Sequence, residues 1–210
     1  MGLLRWLRRS RPSREPDWLD RPVDEVSLLA LDLETTGLDP DHDHIVSLGW
    51  VPIERREVVL AGAVHLLVRP PGPIGESATI HGLTDSAVAD APPLDDVLPG
   101  LRDALADRVM VAHHAPLELG FLADAAPDLA PPYVDTLAVE KKLHGDRELP
   151  PGTLRLGTSR SRHGLPSYAA HSALTDALAA AELLLAQVAE LEHRLHRTPT
   201  LRDLGAALPR

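Results

Sequence analysis

Cysteine is absent from all 210 residues, which excludes a disulfide scaffold, thiol catalysis and Cys-ligated zinc. Aromatic residues make up only 3% of the chain: Trp6, Trp18, Trp50, Phe121, Tyr133 and Tyr168. The core must therefore be built from Leu, Val and Ala, and the aromatic platforms of single-strand binders are not expected. No apolar run approaches the roughly 18 residues of a membrane span. Basic residues are also scarce: 21 Lys+Arg face 31 Asp+Glu, a formal charge of -10. That balance argues against a general nucleic-acid coat protein. It leaves open an enzyme that handles nucleic acid through bound metal ions. The length suits one domain plus a tail, and it supplies a core without a covalent or metal staple.

The charge is unevenly spread. Residues 1–14 hold five arginines (Arg5, Arg8, Arg9, Arg11, Arg14) and no acid. They lack the continuous apolar stretch of a secretory signal, so a cytoplasmic location is expected. Leu3, Trp6 and Leu7 form a potential apolar face over residues 1–9, a weak candidate for contact with a membrane surface or a partner. Residues 1–22 are read as a basic, flexible extension, 23–195 as the main domain, and 196–210 as a tail with a short helix over Leu201–Leu208.

The main domain opens with strand signals at Val26–Thr35, Ile45–Ile53 and Val58–Val68, joined by short polar turns. This suggests a three-stranded antiparallel meander. Helical periodicity follows at Leu94, Val97, Leu98, Leu101 and Leu105. Short strands are expected at Arg108–Ala112 and Tyr133–Val134. Helices are expected from Pro116, over Asp135–Leu143 and over Ala173–Leu195. The order implies an α/β sheet with a mixed edge.

The sharpest local feature is Leu31-Asp32-Leu33-Glu34-Thr35-Thr36-Gly37-Leu38. Strand side chains alternate, so Asp32 and Glu34 share a face at the end of an apolar run. Two like charges there are costly unless a cation compensates them, and hard divalent cations favour carboxylate oxygen. Glu118 follows a strand in the first turn of a helix, and His171 and Asp176 lie near the start of the longest helix. Five residues turn about 500°. The pair therefore converges only if Ser172 caps the helix and His171 lies in the loop before it.

Together these segments resemble the DnaQ-like 3′–5′ exonucleases of the DEDDh type, over about residues 25–190. The D-x-E-T-T-G-L motif is matched from Asp32 to Leu38, and H-x4-D by His171 and Asp176. Ile80-His81-Gly82-Leu83-Thr84 with Ala91-Pro92-Pro93, and Val134-Asp135-Thr136-Leu137, also fit. The second motif departs from the family's usual H-N-A-x-F-D. Here it reads His113-His114-Ala115-Pro116-Leu117-Glu118, with Glu for Asp, His for Asn and Leu for Phe.

The resemblance implies a ribonuclease H-like fold: a mixed five-stranded sheet, three antiparallel strands then two parallel ones, flanked by helices. It implies two Mg²⁺ or Mn²⁺ ions per site on Asp32, Glu34, Glu118 and Asp176, with His171 as general base. Thr35, Thr36 and Leu38 are expected beside the terminal nucleotide, with His81 and His114 near it. Arg162 is a candidate phosphate contact in the segment before His171, alongside Arg155, Arg160 and His163. The implied substrate is a DNA 3′ end, single-stranded or frayed, as for the epsilon proofreading subunit of DNA polymerase III or a stand-alone relative. A polymerase or other protein partner fits that branch. An RNA-trimming exoribonuclease and a weakly active docking module are the alternatives.

Overall fold

In the computed structural model, residues 17–209 are described. The candidate amphipathic face of residues 1–9 and most of the basic extension lie outside them. Folded structure begins before Val23. A 3-10 turn spans Asp17–Asp20, and Trp18 and Leu19 pack against the core.

Six strands form one sheet: β1 (Leu28–Thr35), β2 (Ile45–Glu54), β3 (Glu57–Val58), β4 (Val64–Leu67), β5 (Val109–Ala112) and β6 (Tyr133–Asp135). β2 runs antiparallel to β1, and β5 and β6 lie parallel to β1 on its other side. The expected third strand is divided in two. β3 pairs with Ile53–Glu54 and β4 with Ser47–Trp50. Pro52 lies at the break, where it offers no N–H to a ladder, and a 3-10 turn at Leu60–Gly62 bridges the gap.

Seven helices complete the described fold: α1 (Ala78–His81), α2 (Asp85–Val88), α3 (Leu94–Leu105), α4 (Pro116–Ala125), α5 (Thr136–His144), α6 (Leu156–Arg162) and α7 (Ala173–Leu195). The alternation of β1 divides the core. Leu29, Leu31 and Leu33 face α3 and α4, packing on Leu98, Leu101, Phe121 and Leu122. Leu28 and Ala30 face α5 and α7, packing with Val139, Leu184 and Val188. Asp32 and Glu34 continue this second face and so point toward the start of α7.

The tail is not helical. Leu201–Gly205 make turns, Pro22 bridges Thr200, and Ala207 bridges Tyr133 at the sheet edge. Leu201 and Leu204 are buried. The apolar spacing there serves insertion into the main core, and Gly205 reverses the chain at φ +71°.

Candidate active site

The C-terminal end of β1 carries the chemistry. Asp32 and Glu34 lie one pleat apart, and a register shift between Glu34 and Thr35 bends the strand end. The following loop is pinned by Asp43. Its carboxylate accepts hydrogen bonds from Thr36 Oγ1 at 3.0 Å and the Asp39 amide at 2.9 Å. It also fills the space beside Gly37, where a Cβ would lie 2.3 Å from Asp43 Oδ2. Glycine at this position thus makes room for a carboxylate of the same loop.

Helix α7 supplies the third acid. Ser172 occupies its N-cap position without a side-chain cap bond. The convergence of His171 and Asp176 comes from Asp176 itself, whose Oδ2 accepts the His171 backbone N–H at 2.6 Å. His171 adopts φ +68°, turning the chain immediately before the helix. Asp32, Glu34 and Asp176 each place a carboxylate oxygen within 4.8 Å of the others. Glu118 enters from the first turn of α4, behind Pro116 at the helix start. It is buried, and its Oε2 has no hydrogen-bond partner.

Burial raises the proton affinity of all four acids, and neighbouring like charge within the site adds to it at Asp32 and Glu34. Burial lifts Asp32 well above the usual carboxylate range, with further contributions from Glu118, Asp176 and Glu34. Glu34 is pushed up to about 7 by burial and by Asp176. Burial raises Glu118 to about 8. Asp176 is raised by burial, against the opposing pull of the His171 and Ser172 amides. Crowded, partly desolvated carboxylates of this kind call for positive charge. An all-oxygen donor set and an orphaned Glu118 oxygen fit hard divalent cations.

These groups line a cleft of about 330 Å³ together with Thr35, Gly37, Leu38, Ile80, His81, Leu117 and His171. Leu38 is 78% exposed and Ile80 60% exposed, so two bare aliphatic side chains stand at its rim. His81 Nδ1 accepts the Leu83 amide at 3.1 Å. The neutral ring therefore carries its proton on Nε2, 3.1 Å from Ser77 Oγ.

The cleft thus gathers Asp32, Glu34, Thr35, Leu38, His81, Glu118, His171 and Asp176 from the expected set. Thr36 lies beside it, with its hydroxyl engaged by Asp43. One expectation is corrected, and one expected residue stands outside the cleft lining. Arg162 does not reach the cleft: it pairs with buried Glu140 and with Glu190, because α6 packs these groups against α5 and α7. His114 is exposed and adopts φ +79°; its N–H donates to Asp135 Oδ1 and its carbonyl accepts the Leu117 amide at 3.0 Å. Arg160, by contrast, is interior, at 3% exposure. Ile80, Ser77 and Leu117 were missed. Of these Ile80 had a visible signal, an apolar residue directly before the His-Gly turn, and Leu117 stands at the Phe position of the second motif.

The fold and the acid-lined cleft define the ribonuclease H-like nuclease class. Solved structures share the architecture. Exonuclease X in complex with 5′ overhanging duplex DNA superposes with a TM-score of 0.64 at 23% identity, over 84% of this chain and 96% of that one. The nuclease domain of 3′hExo, a DEDDh family member bound to rAMP, gives 0.65 at 15% identity, over 78% and 92%. A family model described as Exonuclease (RNase_T) matches residues 29–184, and the chain belongs to this exonuclease family. It is 32% identical over 172 residues to DNA polymerase III PolC-type from Thermotoga maritima, covering 79% of this chain and 12% of that protein. It is 33% identical over 184 residues to a DNA polymerase III subunit epsilon-like protein from Rhodobacter capsulatus, covering 83% and 25%. The chain therefore spans only a minor part of these relatives' length.

Among the described residues, no helix is long and apolar enough to cross a membrane.

Proposed function

We propose that the protein is a metal-dependent 3′–5′ exonuclease that releases nucleoside monophosphates from DNA 3′ ends. The observation that carries this reading is the convergence of Asp32, Glu34 and Asp176 within 4.8 Å beside Glu118 and His171. The epsilon-like and PolC-type names of the relatives support DNA as substrate and a polymerase as partner.

In this reading Asp32, Glu34 and Asp176 hold one Mg²⁺ or Mn²⁺, and Glu118 with Asp32 supports a second. When bound, such ions supply the positive charge that phosphodiester hydrolysis requires at the phosphate and the leaving oxygen. The chain's own residues do the rest. His171 takes the proton of the attacking water, a task suited to imidazole near neutral pH. The Thr35 backbone meets the terminal 3′-hydroxyl. Leu38 supports the terminal base by apolar contact, which makes the grip tolerant of base identity. The His81 ring lines the same end of the cleft, where Ser77 Oγ accepts its Nε2 proton and holds the ring in place.

Release of labelled nucleotide from 3′-labelled DNA and RNA oligonucleotides, with Mg²⁺ or Mn²⁺, tests the proposal. DNA is expected to be cleaved, Asp32→Ala to abolish cleavage, and His171→Ala to leave only a slow, measurable residual rate. A wild-type rate equal to that of Asp32→Ala in both metals overturns the enzyme reading in favour of a docking module. Faster release from RNA overturns the substrate assignment.

A further inference from the structure

The segment from His163 to Ser172 carries His171 and is mostly surface. Pro166, Ser167, Ala169, Ala170 and His171 are all exposed. Among the described residues, its backbone makes no sheet or helix bonds between Leu165 and His171. A loop so weakly bonded does not by itself fix a side chain to the tolerance that proton transfer requires.

The anchor comes from beneath. Arg160 projects from α6 into the interior, where a buried guanidinium is costly unless its donors are engaged. Its Nη2 donates to the Pro166 carbonyl at 2.9 Å and to Glu182 Oε2 at 2.7 Å. Its Nη1 donates to the Ala179 carbonyl at 2.7 Å. The guanidinium carbon stands 4.4 Å from the centre of the Tyr168 ring, a cation–π distance. The Tyr168 hydroxyl closes the circuit by donating to Glu182 Oε1 at 2.9 Å. Glu182 and Ala179 belong to α7, the helix that carries Asp176. One arginine therefore ties both the backbone and the aromatic side chain of the His171 loop to the helix bearing an acid of the cleft.

We propose that Arg160, Tyr168 and Glu182 form a bracket that positions His171 against the carboxylate cluster. These are positioning residues, since none of them lines the cleft. The inference rests on the reading of His171 as general base. It adds that the base is held by a device three residues upstream of it in sequence and built on a buried cation.

Because removing Arg160 exposes the whole interior polar set to loss of a partner, the test uses Tyr168. In the full chain, Tyr168→Ala is expected to lower kcat by about 10- to 100-fold with KM changed less than about threefold. Tyr168→Phe, which keeps the ring under Arg160, should recover most of that loss. In a His171→Ala background, Tyr168→Ala should change the residual rate less than about twofold, because the two act through one group. Hydrogen exchange supplies a readout independent of activity. The hydrogen-bonded amides of Leu165 and His171 should exchange at least about tenfold faster in Tyr168→Ala, with the interior of α7 unchanged. Unaltered loop exchange overturns the bracket. So does a Tyr168→Ala loss that multiplies fully with that of His171→Ala, which marks general destabilisation. A His171→Ala variant as active as wild type instead overturns the assignment of the base, and loop exchange then decides the bracket alone.

Discussion

At the scale of single residues, the cleft is a point of stored repulsion. Asp32 is buried among three other carboxylates, and its proton is held tightly because ionisation leaves a desolvated charge and, beyond that, places like charges together. Function and stability therefore oppose one another here. Asp32→Asn should reduce nucleotide release by about 10³-fold while raising the melting temperature of metal-free protein at pH 8. A lowered melting temperature would show that Asp32 contributes structurally. The same repulsion gives a pH dependence. Glu34 and Glu118 titrate near 7 and 8, against 4.5 unperturbed. The folded chain thus binds these protons more tightly than the unfolded one. Their stabilisation is fully present below pH 4.5 and is lost as pH rises through 7 and 8. Metal-free melting temperature should fall across that window. Added Mn²⁺ should raise it more at pH 8 than at pH 5.5, because the cation competes with protons for the same oxygens. Equal Mn²⁺ shifts at both pH values would contradict the linkage.

At the scale of elements, the decisive contact is one the sequence hid. Asp32 pairs in register with Gly49 on β2. A Cβ at Gly49 would lie 2.1 Å from the Leu174 amide and 2.2 Å from the Ala173 carbonyl carbon. The missing side chain lets the first turn of α7 lie on the sheet, which brings Asp176 to Asp32. Gly49→Ala should lower the cleavage rate about 100-fold and cost about 1–3 kcal/mol in overpacking, read by nucleotide release and chemical unfolding. Gly157→Ala on α6 is the control. Its Cβ meets nothing within 4 Å, so helix propensity should make it neutral or slightly stabilising. The acids and strands were legible in sequence because period-two alternation and motif spacing are local. The faces of Asp32 and Glu34, the Pro116 helix start and the full length of α7 follow from such patterns. The roles of Arg160 and Arg162 were illegible because a cation's partner is set by tertiary packing. In sequence they form a basic stretch, whereas in the fold Arg160 is an interior tie and Arg162 an exposed residue that reaches back to buried Glu140. Arg162, His163 and Gln187 all converge on fully buried Glu140. Burial alone would raise the Glu140 carboxyl, yet hydrogen bonds from His163, Arg162 and Gln187 hold it at about 2. Glu140→Ala leaves the Arg162 guanidinium and the buried Gln187 amide without their shared acceptor and should cost about 3 kcal/mol in urea unfolding.

At the scale of the whole molecule, the unresolved tension is an exonuclease fold with a charge of -10. The fold sharpens it. Arg56, Arg102, Arg108, Arg160, Arg162, Arg194, Arg197 and Arg202 all pair with acids. Neither lysine nor arginine lines the cleft. Four acids there would be offset by two divalent ions, which return +4 at the position of the scissile phosphate. Attraction is thus concentrated on the terminal phosphodiester, and little remains to neutralise phosphates farther along a strand. Salt dependence reads this directly, since each neutralised phosphate of a single strand adds about 0.7 to the slope of log K against log salt. The slope for oligonucleotide binding should stay below about 2, and kcat/KM should differ less than about threefold between a short and a long oligonucleotide. A steep slope with a large gain for the long substrate would require a basic surface elsewhere. Residues 1–14 hold five arginines without an acid, so deleting them discriminates. If the slope then flattens, that segment supplies the strand contact. If it stays steep, the cleft engages several phosphates despite its charge, and the end-focused account fails.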